Sequence, residues 1–316
     1  MKKTINESHI EGILYEHDLE LRTTGANSKA PGTQYIRGSI SVATDNDMLN
    51  IVPVYYNYVV EKTNAGKVNN NFTVLTNIIN GVYKTAMGSG ADNATKVRID
   101  SAIGLNEFYT TNREGNEEFV SVKRNDGGFI HVVDIVDSEE KNRNTFKVDM
   151  VITGVTHVEA DEEKNTPEKA VVKGAIFDFR KALLPVDFTA TNANAIDYFM
   201  NLGASNKEPV FTCIWGRQIS ETIVKRTTTK SAFGDDQVKE TKSVRKDFII
   251  TGAAEDTYPW DDEQYLTANE LLEAKQKREI ELANMKARSD EYKASKVAKA
   301  APTPMPAAST GATFNF

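Results

Sequence analysis

The chain has 316 residues, 40% of them apolar, four histidines, one cysteine and a formal net charge of −7, enough for one large or two ordinary domains with a real core. The lone Cys213, in VFTCIW, excludes an internal disulfide and any multi-cysteine metal site and fits a reducing compartment. No stretch approaches 18 apolar residues, TINESHIEG stands where a signal peptide's apolar run belongs, and the negative balance excludes an overall cationic coat while leaving room for a local basic patch.

Period-two patterning dominates up to about Gly252. Ile13, Tyr15, Leu19 and Leu21 alternate in the first segment, and Ile36, Ile40 and Val42 in YIRGSISVA. TDNDM then turns the chain into LNIVPVYYNYVV, a strand by its β-branched and aromatic content, with Pro53 marking an edge or a bulge. NNFTVLTNIINGVYK suits a short helix or a strand, and Gly88 to Gly90 read as a loop. TKVRIDSAIGL resumes the alternation, and EEFVSVKRNDGGFIHVV reads as a hairpin about Asn125-Asp126-Gly127-Gly128. TFKVDMVITGVTHVEA and AVVKGAIFDF flank the acidic turn DEEKNTPEK, and LLPVDFTA is a further strand. NANAIDYFMNLG is a helix capped by Asn192 or Asn194 and stopped at Gly203. A long hairpin about SAFGDD closes the series.

Many short strands with little helix between them imply a mainly β body over 1–252, an antiparallel barrel or sandwich without the rhythm of a parallel α/β fold. No internal repeat stands out. Residues 253–266 form an acidic linker around Trp260. Thr267 to Glu270 make a capping box opening a helix to about Ala300, roughly 50 Å long, with no sustained heptad, which reads as a solvated helix touching the body on one short face, the alternative being a partner-binding helix. Residues 301–316, APTPMPAASTGATFNF, have the composition of a disordered tail and end in Phe314 and Phe316.

Motifs for catalysis are missing: there is no phosphate-binding loop, GxGxxG, GxSxG or HExxH, and the acids after His157 lack the rhythm of a hard-cation loop. The expectation is a non-enzyme without cofactor or metal. Basic and aromatic residues coincide in three places. Tyr55, Tyr56 and Tyr58 stand beside Lys62, Lys67 and Phe72; Lys123 and Arg124 lie between Phe119 and Phe129. From Arg217 to Lys246, Lys225, Arg226, Lys230, Lys239, Lys242 and Arg245 complete eight cations against four acids, with Trp215 just before them and Phe233 at the turn. Cations that track phosphates and flat rings that stack on bases are what a single-stranded nucleic acid requires, so the three hairpins are expected to line one groove. The same tyrosines and tryptophan would equally serve as core or cross-strand partners, and the lysines as guards of edge strands.

GSISVATDNDMLNIVPVYYNYV, RNTFKVDMVITGVTHVEADEEKNTPEKAVVKGAIFDFRKALLPVDF and FTCIWGRQI resemble bacteriophage single-stranded DNA-binding proteins, over roughly residues 35 to 250. The resemblance implies an OB-type barrel, here an elaborated one, binding single-stranded DNA in replication or recombination in the cytoplasm of an infected bacterium. It assigns no residue to DNA. The terminal Phe316 after a linker is similar to the partner-recruiting tips of such proteins, with Trp260 and Phe314 as further candidates; the acids that accompany such tips are displaced to 255–263. A virion or assembly protein, its β body packing on copies of itself, is the competing expectation.

Overall fold

A computed structural model describes residues 4–300 other than 64, 162–166, 232, 236, 261 and 263; the side chains of 221–226, 240–245 and 296–300 also lie outside the description. The body is mainly β. Its first half comprises β1 (Asn6–His17), β2 (Glu20–Thr23), β3 (Gln34–Ala43), β4 (Ile51–Val60), α1 (Asn70–Ile79), α2 (Ala86–Ser89), β5 (Lys96–Thr111) and β6 (Glu117–Val132). The second half comprises β7 (Asn144–Val158), β8 (Lys169–Phe177), β9 (Leu183–Ala190), α3 (Ala193–Asn201), β10 (Val210–Thr229) and β11 (Gln237–Ala253), and α4 (Ala268–Ala300) follows.

The strands close into two rings. β1 pairs with β3, β3 with β4, β4 with β6, β6 with β5 and β5 with β1, all antiparallel except β4–β6. β7, β8, β9, β11 and β10 repeat that circuit, and the parallel contact, Ile249 against Thr189, again joins third and fifth strands. Each ring inserts a helix between its third and fourth strands. This is the connectivity of the five-stranded OB barrel, present twice. The body therefore has the OB-type architecture expected from the sequence, as two rings in tandem, a choice between one decorated barrel and two small domains that the sequence left open.

Alternation fills each ring. Ile10, Ile36, Ile40, Val54, Tyr56 and Ile99 point into the first; Val148, Met150, Ile152, Phe188, Ile214 and Phe248 point into the second. The helices plug the rings in the same way. The N-cap Asn69 of α1 accepts from Asn71 N and buries Leu75 and Ile78; the N-cap Asn192 of α3 accepts from Asn194 N and buries Ile196 and Phe199. Three-residue spacing puts each pair on one helix face. Just beyond the helices, Gly81 (φ 71°) and Gly203 (φ 67°) take the left-handed conformation that ends them.

β1 and β7 join the rings through their first halves, antiparallel from Asn6 opposite Val148 to Ile10 opposite Asn144. Two asparagines do equivalent work about this seam. Asn6 Nδ2 donates to the carbonyls of Ile103 (2.9 Å) and Phe177 (3.1 Å); Asn144 Nδ2 donates to the Gln218 carbonyl (2.9 Å) and to Thr44 Oγ1 (3.0 Å). Each thus ties the fourth strand of its own ring to the end of the second strand of the other.

The expected hairpin about Asn125-Asp126-Gly127-Gly128 is corrected: β6 runs straight through it. The reversal lies at 112–116, where Asn112 Oδ1 accepts from the N–H groups of Glu114 and Asn116. Gly127 and Gly128 (φ 60° and 131°) form a bulge instead, and a Cβ at Gly128 would stand 2.4 Å from the Asp100 carbonyl oxygen. Glycine here serves close approach within a strand, which reads the same in sequence as a turn. α4 opens on the expected capping box, Glu270 N donating to Thr267 Oγ1 (3.3 Å) and Thr267 N to Glu270 Oε2 (3.0 Å). The short face by which it touches the body lies at its start: Leu266, Leu271 and Ala274 bury against Val151, Phe177 and Phe211.

Candidate nucleic-acid interface

In both rings the fourth and fifth strands outrun the barrel. β5 last pairs with β1 at Ser101, yet its ladder with β6 continues from Ala102 opposite Asp126 to Thr111 opposite Glu117. β10 last pairs with β7 at Arg217, and its ladder with β11 continues from Gln218 opposite Phe248 to Thr229 opposite Gln237. At 3.3 Å per residue these arms are about 33 and 40 Å long. The first carries Glu107, Glu114, Glu117, Glu118 and Asp126 against Arg113, Lys123 and Arg124. The second, over 218–247, carries Lys225, Arg226, Lys230, Lys239, Lys242, Arg245 and Lys246 against five acids.

α4 lies along the acidic arm. Arg278 pairs with Glu107, both nearly enclosed; Lys286 (2.5 Å) and Lys293 pair with Glu117; the Lys286 ammonium stands 5.5 Å over the Tyr109 ring. Hydrogen bonds from Lys286 and Lys293 hold the Glu117 carboxyl below its ordinary range.

A cleft of about 940 Å³ opens at the seam between the rings, lined by His9, Phe129, Lys141, Lys147, Trp215 and Arg217 among others. Phe129 is 69% exposed and Trp215 40% exposed. The Trp215 indole is seated on Gly252, where a Cβ would meet Nε1 at 2.4 Å. Arg217 Nε donates to Asn144 Oδ1 at 3.4 Å, and His9 reaches Asp100 at 2.9 Å. Three residues singled out in the sequence, Phe129, Trp215 and Arg217, meet here. Lys147 and His9 were missed, although strand alternation places Lys147 outward between the buried Phe146 and Val148.

A buried amide network locks the rings. Ser8 Oγ donates to Asn125 Oδ1 (2.9 Å), Asn125 Nδ2 to Gln218 Oε1 (2.7 Å) and Gln218 Nε2 back to Ser8 Oγ (2.6 Å), uniting β1, β6 and β10. Lys123 reinforces it. Its ammonium bonds the Asp187 carbonyl and lies 4.6 and 4.7 Å over Phe188 and Phe248 of the second ring, and burial lowers its affinity for the proton. Arg124 lies 5.1 Å over Tyr55 and pairs with Asp126 at 2.9 Å. Burial outweighs that pairing and raises the Asp126 carboxyl.

The three hairpins expected to line one groove therefore fall in several places. Tyr56, 2% exposed, is core of the first ring, and Phe72, partly buried, packs against that core. Tyr58 is exposed, its ring 4.8 Å from Tyr35 on the outer side of β3 and β4. Lys62 and Lys67 are exposed in the loop after β4. Lys230, Phe233 and Lys246 are exposed on the second arm; the backbones of Lys225, Arg226, Lys242 and Arg245 are on it too, their side chains outside the description. Trp260 packs 5.9 Å from Phe211 and donates Nε1 to the Pro209 carbonyl (3.1 Å), which makes it part of the body rather than a free recruitment residue. Phe314 and Phe316 lie outside the described residues.

Among the described residues no His, Cys, Asp and Glu group is placed to hold a metal ion, and no helix is long and apolar enough to cross a membrane. Burial pushes the Cys213 thiol up to about 11, which keeps it protonated. The crystal structure of a deletion mutant of the single-stranded DNA binding protein from Thermus aquaticus matches 83% of this chain and 100% of its own, at 12% identity and a TM-score of 0.40. No curated protein matches. The YorF family model matches residues 4–288, nearly the whole described body and most of α4, and the chain belongs to the YorF family.

Proposed function

We propose that this chain is a sequence-tolerant single-stranded DNA-binding protein, working by binding alone, in the replication or recombination of bacteriophage DNA in the cytoplasm of an infected bacterium. The observation that carries the reading is the doubled OB-type ring whose second arm holds seven cations. OB barrels take oligonucleotides on the face of their second and third strands and on the loops joining their first and fourth pairs, and the arms are those fourth-to-fifth connections. Exposed Phe129, Trp215 and Tyr58 add rings on which bases stack. The phage setting rests on the sequence resemblance over 35–250. The tail ending in Phe314 and Phe316 is assigned to recruitment of replication or recombination proteins, so deleting residues 312–316 should spare DNA binding. Fluorescence anisotropy with oligo-dT tests the core of the reading. Binding should weaken with salt along a log–log slope of about −0.7 per phosphate neutralised. Absence of affinity at 50 mM salt would falsify it.

A further inference from the structure

Between the roots of the two arms lies a second, smaller cavity of about 230 Å³. We infer that it is a pocket for a single nucleobase, entered from the single strand that the rings bind; the inference rests on the single-strand reading above. Its size is the first argument. Sites that enclose drug-sized ligands measure roughly 300–1,000 Å³, so this one has room for one flat ring and no dinucleotide.

Its chemistry is the second. Phe108, Val122 and Ile219 are 40%, 49% and 37% exposed at its walls, three apolar side chains left open where two arms converge. The guanidinium plane of Arg124, stacked on Tyr55, is a second surface of the kind on which unstacked bases settle. Arg124 Nε is buried and has no hydrogen-bond partner. A buried unsatisfied donor is costly and calls for an acceptor, which every base supplies as a keto oxygen or a ring nitrogen. Lys246, exposed at the rim, suits the phosphate that follows. The neighbouring amides of Asn125 and Gln218 are already spent on each other and on Ser8, so the hydrogen bond to a base falls to Arg124.

Photocrosslinking of the full chain to oligo-dT carrying 5-iodouracil, with mapping of crosslinked peptides by mass spectrometry, tests the pocket. Crosslinks to Tyr55 or Phe108 are expected. Phe108→Ala, at an exposed position, should weaken oligo-dT binding about tenfold at an unchanged salt slope, because a stacking contact and no phosphate contact is lost. Arg124→Lys, which keeps the charge and removes Nε, should weaken oligo-dT binding at an unchanged salt slope. If wild type binds oligo-dT while Phe108→Ala binds equally well and crosslinks map only elsewhere, the pocket is refuted and single-strand binding stands. If wild type binds no oligo-dT, both fall.

Discussion

The arm of the first ring carries more acids than bases and lies beneath α4, whose Arg278, Lys286 and Lys293 answer its glutamates. The arm of the second ring, built on the same two strand positions, carries more bases than acids, and α4 makes its main contacts elsewhere, on β5 and β9. The same scaffold has thus been given opposite charge and different company. One arm is a docking rail for the chain's own helix; on the other, the described cations Lys230, Lys239 and Lys246 are exposed.

That contrast can be broken experimentally. Glu107→Ala leaves Arg278 nearly enclosed without its partner and should cost about 3 kcal/mol of stability, read by denaturant unfolding; a loss under about 1 kcal/mol would mean that α4 does not grip this arm. Reversing Lys230, Lys239 and Lys246 to Glu on the second arm should reduce oligo-dT affinity about a hundredfold, or ~2.7 kcal/mol, and lower the magnitude of the salt slope by about 2. The matched reversal of exposed Glu114 and Glu118 to Lys on the first arm should change affinity by less than about threefold; equal effects on both arms would erase the distinction. The two seam asparagines sharpen the comparison further. Asn144→Ala, fully buried, should destabilise by about 2 kcal/mol, and the half-buried Asn6→Ala by about 1.

The smallest effect concerns pH. Because the folded Glu117 carboxyl titrates below its ordinary value, its contribution is present above the unfolded value near 4.3 and disappears as pH falls through the lower folded one. Hydrogen exchange in 107–118 and in the second half of α4 should therefore accelerate only in acid below about pH 4. Acceleration already at pH 6 would contradict the ion-pair account.

Individual elements were legible from sequence because period-two alternation and Asn caps are local signals. The doubling was not. Many equivalent positions share a physical task without sharing residues: Leu75 and Ile78 in one helix face do what Ile196 and Phe199 do in the other, while the asparagines at caps and seam and the glycines after the helices coincide. Lys123 looked like a phosphate contact because a charge pattern does not disclose that its ammonium leans on the neighbouring ring. Trp260 looked free because nothing local tells that Phe211, some fifty positions earlier, lies beneath it.

The Ser8–Asn125–Gln218 network has a consequence for any ligand long enough to touch both rings. It fixes the distance and orientation between them, so the second contact is intramolecular and needs no further search of orientation. Two individually weak sites held at constant separation act with an effective local concentration in the millimolar range, and their avidity exceeds either affinity by orders of magnitude. Short oligonucleotides that reach only one ring forgo that gain, so affinity should rise abruptly, rather than gradually, at the length that spans the seam.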